Sequence, residues 1–199
     1  MNSDPSSFPH YAKLPFSINL PQLTPEQCSE ARFLASYNPF KDERGLTYYQ
    51  ADQYQRDVVL SIVPPSLHSR VEEVSLCRIL GGAAPHRDHD CQSKINFYLK
   101  TGDARTIYFK DPGVDGISYH NDSRRHIFSI KEHRLRRVSE FQAQAGEVFL
   151  LDTSQIHCVA MADDAERHMV TISFRADFSD VLKEVTSYEA VLPAELRRH

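Results

Sequence analysis

The chain has 199 residues, a formal net charge of −4, 41% hydrophobic and 25% charged residues. That is the size of one globular domain, too apolar for disorder and too acidic for a general nucleic-acid binder. No apolar run approaches the ~20 residues of a membrane span, and Met1–His10 lacks the basic-then-apolar layout of a signal peptide. Four scattered cysteines, Cys28, Cys77, Cys91 and Cys158, form no CxxC pair and read as reduced thiols. The expectation is therefore a cytoplasmic single domain without a membrane partner and without a strong nucleic-acid signal.

In chain order, residues 1–20 read as an extended lead-in and 21–72 as a helical support region. Thr24-Pro25-Glu26-Gln27 combines a Thr cap, Pro at the first helical position and Gln three residues after the cap. Apolar Cys28, Ala31, Phe33, Leu34 and Ala35 then suggest a short amphipathic helix ending before Pro39. A further helical turn or two is expected after Pro64-Pro65, around Ser66 to Glu72.

From residue 73 to 178 the period becomes two. Strands are expected at Val74–Leu80, stopped by Gly81-Gly82, then at Lys94–Leu99, Thr106–Phe109, His126–Ile130, Arg134–Val138, Val148–Leu151 and His168–Phe174. Many short strands after a helical region point to a mainly β fold, a jelly roll or barrel, rather than a βαβ sheet. The polar stretch 111–125 reads as a long surface loop or lid.

Chemistry concentrates in two places. In His86-Arg87-Asp88 the first and third residues of an extended stretch point the same way, so both can ligate one metal. A distant histidine would complete a two-His-one-carboxylate triad with positions open on Fe(II). Composition alone yields about one His-x-Asp pair by chance, and His120-Asn121-Asp122 is a second. Context favours the first, which follows a strand and a Gly-Gly turn, whereas the second sits in the polar loop. The segment Gly146–Val159 describes a hairpin presenting His157, and Arg167 follows ten residues later at the head of a strand. Alternation sets Val170, Ile172 and Phe174 on one face of that strand and Arg167, Met169, Thr171 and Ser173 on the other. Arg167 could take a carboxylate by paired hydrogen bonds, or be a surface cation near Asp163, Asp164 and Glu166. Lys94, Asn96 and Tyr98 share one strand face, which is either solvent-exposed or a costly polar interior that needs a ligand.

This order of His-x-Asp, several strands, a distal His and a basic residue resembles the Fe(II)- and 2-oxoglutarate-dependent oxygenases of the double-stranded β-helix fold. The resemblance runs over residues 74–176. Within that superfamily the pattern of Ser75, Pro85-His86, Lys94-Ile95-Asn96 and His157 with Arg167 is most similar to the aspartyl/asparaginyl β-hydroxylases and bacterial amino-acid hydroxylases.

The resemblance implies a metal triad of His86, Asp88 and His157, the distal carboxylate of 2-oxoglutarate on Arg167 with help from Ser75, and Lys94 and Asn96 near the chelating end. Lys94 and Asn96 stand where that group has Arg and His. It also implies Fe(II), 2-oxoglutarate and O2 as cofactor and cosubstrates, and a small-molecule or peptidyl substrate, a free amino acid first. A complete triad favours hydroxylation over halogenation. Alternative readings are a cupin-like metalloenzyme of another kind and a ligand-binding jelly roll without oxygenase activity. His89, Asp90, Tyr48, Tyr49, Tyr54 and the basic clusters 123–126 and 133–137 carry weaker signals that ordinary surface or packing roles explain.

Overall fold

The structure, a computed structural model, describes residues 9–17, 33–37, 45–88, 91–111, 119–122, 125–128 and 135–189. It is mainly β. The strands are β1 (Tyr11–Ser17), β2 (Phe33–Tyr37), β3 (Gly45–Gln50), β4 (Val71–Leu80), β5 (Ala83–Asp88), β6 (Ser93–Lys100), β7 (Arg105–Phe109), β8 (Tyr119–Asp122), β9 (Arg125–Phe128), β10 (Arg137–Phe141), β11 (Glu147–Asp152), β12 (His157–Ala160) and β13 (Glu166–Phe174). Two helices accompany them, α1 (Gln53–Ser61) and α2 (Phe178–Glu189), with a 3-10 turn at Pro65–Arg70.

The strands form two antiparallel sheets, a seven-stranded one in the order β1-β11-β6-β13-β4-β3-β2 and a six-stranded one in the order β10-β7-β12-β5-β9-β8. From β4 to β7 and again from β10 to β13 successive strands alternate between the sheets, and the fold is the expected jelly roll. Both faces of the larger sheet are covered. Its outer face carries Val74, Leu76, Ile95, Phe97, Val148, Leu150, Val170, Ile172 and Phe174, packed under Val59, Leu67, Phe178, Val181 and Val185 of the helical layer. Each such side chain stabilises the fold by about 1.5–3 kcal/mol through burial. The inner face meets the smaller sheet around Tyr98, Tyr108, Phe141, Phe149 and Met169.

The helical support region departs from expectation. Phe33–Tyr37 is a strand on β3, not the end of a helix; pairing at the sheet edge overrides a weak local helical pattern. Residues 21–32, including the Thr24 cap, lie outside the described residues. Helix α1 lies inside the helical support region, and its capping box is written in Asp52 and Gln55: Gln55 N–H donates to Asp52 Oδ1 at 2.7 Å and Asp52 N–H to Gln55 Oε1 at 3.0 Å. The turn after Pro64 is 3-10 over Pro65–Arg70, and Val71 already begins β4. Within the stretch read as a loop, Tyr119–Asp122 pairs with β9 as the outer strand of the smaller sheet. Gly82 (φ 101°) packs against β12 so closely that a Cβ there would stand 2.7 Å from the Val159 carbonyl oxygen, so this turn accepts only glycine.

Candidate metal and anion site

The site is assembled across the smaller sheet, where β12 lies between β5 and β7. His157 is the register partner of His86 on one side and of Tyr108 on the other, so the three side chains stand in one row on the inner face. Pro85 immediately precedes His86. It has no N–H to give a ladder, and Ala84 and Pro85 of β5 together oppose the single residue Cys158 of β12 there, a bulge of the kind that re-aims side chains beside functional sites.

Both imidazoles are oriented alike. His86 Nδ1 lies 2.7 Å from the carbonyl of Ala84, and His157 Nδ1 lies 2.9 Å from the carbonyl of Gln155. A carbonyl only accepts, so each Nδ1 carries a proton, and in the neutral ring each Nε2 keeps its lone pair. Asp88 Oδ1 is 3.7 Å from His86 Nε2, and donor atoms of His86, Asp88 and His157 all lie within 4.8 Å of one another. All three residues are buried. Two neutral imidazoles and a carboxylate so arranged fit a divalent transition ion and leave coordination positions open.

The pocket over this cluster is also lined by Leu46, Tyr48, Cys77, Ile79, Lys94, Asn96, Thr106, Leu151, Thr153, Val159, Arg167, Met169 and Thr171. It measures about 450 Å³ with its open mouth. Arg167 forms its deep wall, 1% exposed. Its Nη1 donates to Thr106 Oγ1 at 2.8 Å and its Nη2 to the Ala104 carbonyl at 2.7 Å, with the guanidinium 5.1 Å from the Tyr98 ring centroid. Its Nε is buried with no hydrogen-bond partner, and no carboxylate pairs with it among the described residues. Burial pushes its pKa down, yet a guanidinium stays cationic. A buried cation held only by neutral groups is expensive unless an anion joins it.

The expected polar strand face is real and buried. Lys94 Nζ lies 2.7 Å from Asp88 Oδ2 and 5.3 Å from the Tyr48 ring centroid. Thr171 Oγ1 donates to Asn96 Oδ1 at 2.7 Å, which turns the Asn96 amide nitrogen toward Tyr98 Oη, 3.5 Å away.

Ser75 does not join Arg167. The antiparallel register sets Ser75 opposite Thr171 and Arg167 opposite Ile79, so four residues of β13, about 13 Å, separate them. Thr106, from the other sheet, supplies the hydroxyl instead. Tyr48 carried a weak signal in the sequence and Thr171 shares the Arg167 face by alternation, but Thr106 and Thr153 gave no signal. Nor did Tyr108, whose buried hydroxyl finds no partner and whose pKa is raised well above normal by burial.

No protein-family model and no curated protein matches the chain. Solved structures do. That of the Escherichia coli ribosomal oxygenase YcfD is 12% identical and covers 91% of this chain and 52% of its own, with a TM-score of 0.48. A YcfD structure in complex with cobalt and succinic acid is 13% identical, covers 78% and 38%, and has a TM-score of 0.42. A variant of Bacillus subtilis oxalate decarboxylase is 20% identical, covers 71% and 28%, and has a TM-score of 0.36. The chain thus spans about half the length of the YcfD chain.

Of the weaker candidates, Tyr48 reaches the pocket while Tyr54 is exposed on α1. His120 and Asp122 lie on β8, two strands from β5 in the smaller sheet. His89, Asp90, Ser123, Arg124, His133 and Arg134 lie outside the described residues, and Arg136 and Arg137 are exposed. Cys77, Cys91 and Cys158 are buried. Among the described residues no helix is long and apolar enough to cross a membrane.

Proposed function

We propose that this chain is a non-haem Fe(II)- and 2-oxoglutarate-dependent dioxygenase that hydroxylates a small substrate, a free amino acid or a peptidyl residue. The observation that carries the reading is one pocket lined by both a buried His86–Asp88–His157 cluster and a buried Arg167 guanidinium with no carboxylate partner among the described residues. A metal accounts for the first and an anion for the second. Thr106, which holds Arg167, stands two residues along β7 from Tyr108, the register partner of His157. The two ends are thus offset by about 7 Å along the strand, a span a five-carbon dicarboxylate bridges with one carboxylate at each.

When bound, the iron with its cosubstrate supplies the oxidising chemistry: O2, 2-oxoglutarate and substrate C–H are converted to C–OH, succinate and CO2. The rest belongs to the chain. His86 and His157 offer Nε2 lone pairs fixed by their Nδ1–H bonds to backbone carbonyls. Asp88 offers one carboxylate oxygen. Arg167, stacked on Tyr98 and anchored by Thr106, holds the distal carboxylate. Asn96, fixed by Thr171, presents its amide near the chelating end. Leu46, Ile79, Val159 and Met169 exclude water from the reacting centre.

The test is titration of 2-oxoglutarate into Fe(II)-loaded protein without oxygen, followed by succinate release under air against a panel of amino acids and short peptides. Cosubstrate binding with substrate-stimulated succinate release is the expected result. Metal binding without 2-oxoglutarate binding would favour a metalloenzyme of another kind. Binding of neither would leave a ligand-binding jelly roll.

A further inference from the structure

Lys94 stands on β6 of the larger sheet and Asp88 at the end of β5 in the smaller, so their contact bridges the sheets inside the pocket. The Lys94 ammonium is 2.7 Å from Asp88 Oδ2, both side chains are almost wholly buried, and the Tyr48 ring flanks the ammonium. The other carboxylate oxygen, Oδ1, is the one that faces His86 Nε2. One carboxylate therefore has two cationic customers on opposite oxygens: a fixed ammonium and whatever ion the imidazoles hold. The imidazole Nδ1–H groups are taken up by backbone carbonyls, and the Lys94 ammonium is in direct contact with Asp88 when no metal is bound. Charges this close interact strongly in a water-poor interior, and a divalent ion on Oδ1 is repelled by the ammonium on Oδ2.

We propose that Lys94 is the resident counter-ion of Asp88: it stabilises the buried carboxylate in the metal-free protein and weakens metal binding by opposing the incoming ion, and it is not a ligand of the cosubstrate. This is a positioning and affinity-setting role, and it rests on the metal reading above. Two opposite consequences separate it from a simple supporting role. A side chain that only orients a ligating carboxylate strengthens metal binding, and its loss typically weakens affinity 10–100-fold. A competing counter-ion does the reverse.

The experiment uses full-length protein stripped with chelator, measured by thermal unfolding and by calorimetric titration with Co(II), in wild type, Lys94→Met, Lys94→Arg and the double variant Lys94→Met/Asp88→Asn. Lys94→Met is expected to lower the melting temperature of stripped protein and to bind Co(II) about tenfold or more tightly than wild type. Lys94→Arg should keep the wild-type behaviour in both. The double variant, with neither charge buried, should recover the melting temperature of stripped wild type. Should Lys94→Met fail to fold without metal, recovery in the double variant supports the counter-ion role, and failure there too overturns it. Unchanged or weaker Co(II) binding by Lys94→Met overturns the inference alone, as does loss of 2-oxoglutarate binding by metal-loaded Lys94→Met. Absence of Co(II) binding by wild type overturns the metal reading itself.

Discussion

The two faces of the seven-stranded sheet are buried to a similar depth and built from opposite materials. On β13 the outer face carries Val170, Ile172 and Phe174 under the helices, and the inner face carries Arg167, Met169, Thr171 and Ser173. On β6, Ile95 and Phe97 face out while Lys94, Asn96 and Tyr98 face in. Burial alone explains the first face, because apolar area removed from water stabilises in proportion to its size. It does not explain the second, where a guanidinium, an ammonium and an amide are withdrawn from water at a cost. The difference teaches that the outer face makes the fold and the inner face is organised around buried charge.

The largest expected break of that contrast is Asp88→Ala, which removes the only carboxylate in the cluster. Metal binding and turnover should be lost, while Asp122→Ala, in the other His-x-Asp pair, should leave both nearly intact. Calorimetric metal titration and succinate release measure this, and the reverse pattern would show that the second pair is the ligating one.

Next in size is Arg167→Leu. Deleting one partner of a desolvated charge-assisted pair costs about 2–5 kcal/mol, so 2-oxoglutarate affinity should fall by about one and a half to three and a half decades with metal affinity little changed. Arg175 is the control at the far end of the strand, exposed and paired with Glu72; an exposed pair is worth about 0–1 kcal/mol, and Arg175→Leu should leave the titration curve in place.

The outer face should behave oppositely. Ile172→Val, in the fully buried cluster under the helices, is expected to cost about 0.5–1.5 kcal/mol in denaturant unfolding while metal and cosubstrate affinities stay unchanged. A change in either affinity would mean the two faces are energetically coupled through the strand.

The smallest effect is at the end of β13. Hydrogen bonds from Arg78 and Lys100 hold the Glu166 carboxyl down at about 2 from its ordinary 4.5. A depressed carboxylate pKa contributes stability that is complete above the ordinary value and is lost as pH falls toward the folded one. Glu166 is partly buried, but its partners Arg78 and Lys100 reach solvent, so screening keeps the contribution within about 1 kcal/mol. Glu166→Gln should therefore flatten the loss of stability between about pH 4.5 and 2 and leave neutral-pH activity unaltered.

Much of this was legible in the residues. A strand's period of two is local, so β4, β6, β7, β11 and β13, and the opposed faces of β13, follow from alternation alone. His86 and Asp88 sit two apart on one strand, and His157 opens another, so each could be singled out without knowing its neighbours. Helix α1 is equally local, since its capping box is written in Asp52 and Gln55. Phe33–Tyr37 was not legible, because its hydrogen bonds are made to β3 and a short apolar run does not declare its partner.

The sequence by itself determined which side chains could carry chemistry and which strand face each one occupies, because spacing along one strand sets both. Only the tertiary structure decided which of them meet. Register between strands far apart in the chain sets Ser75 opposite Thr171, away from Arg167. Closure of one sheet over the other brings Thr106 to Arg167 and Lys94 to Asp88. Those contacts depend on how two twisted sheets pack, and no local spacing encodes the distance between them.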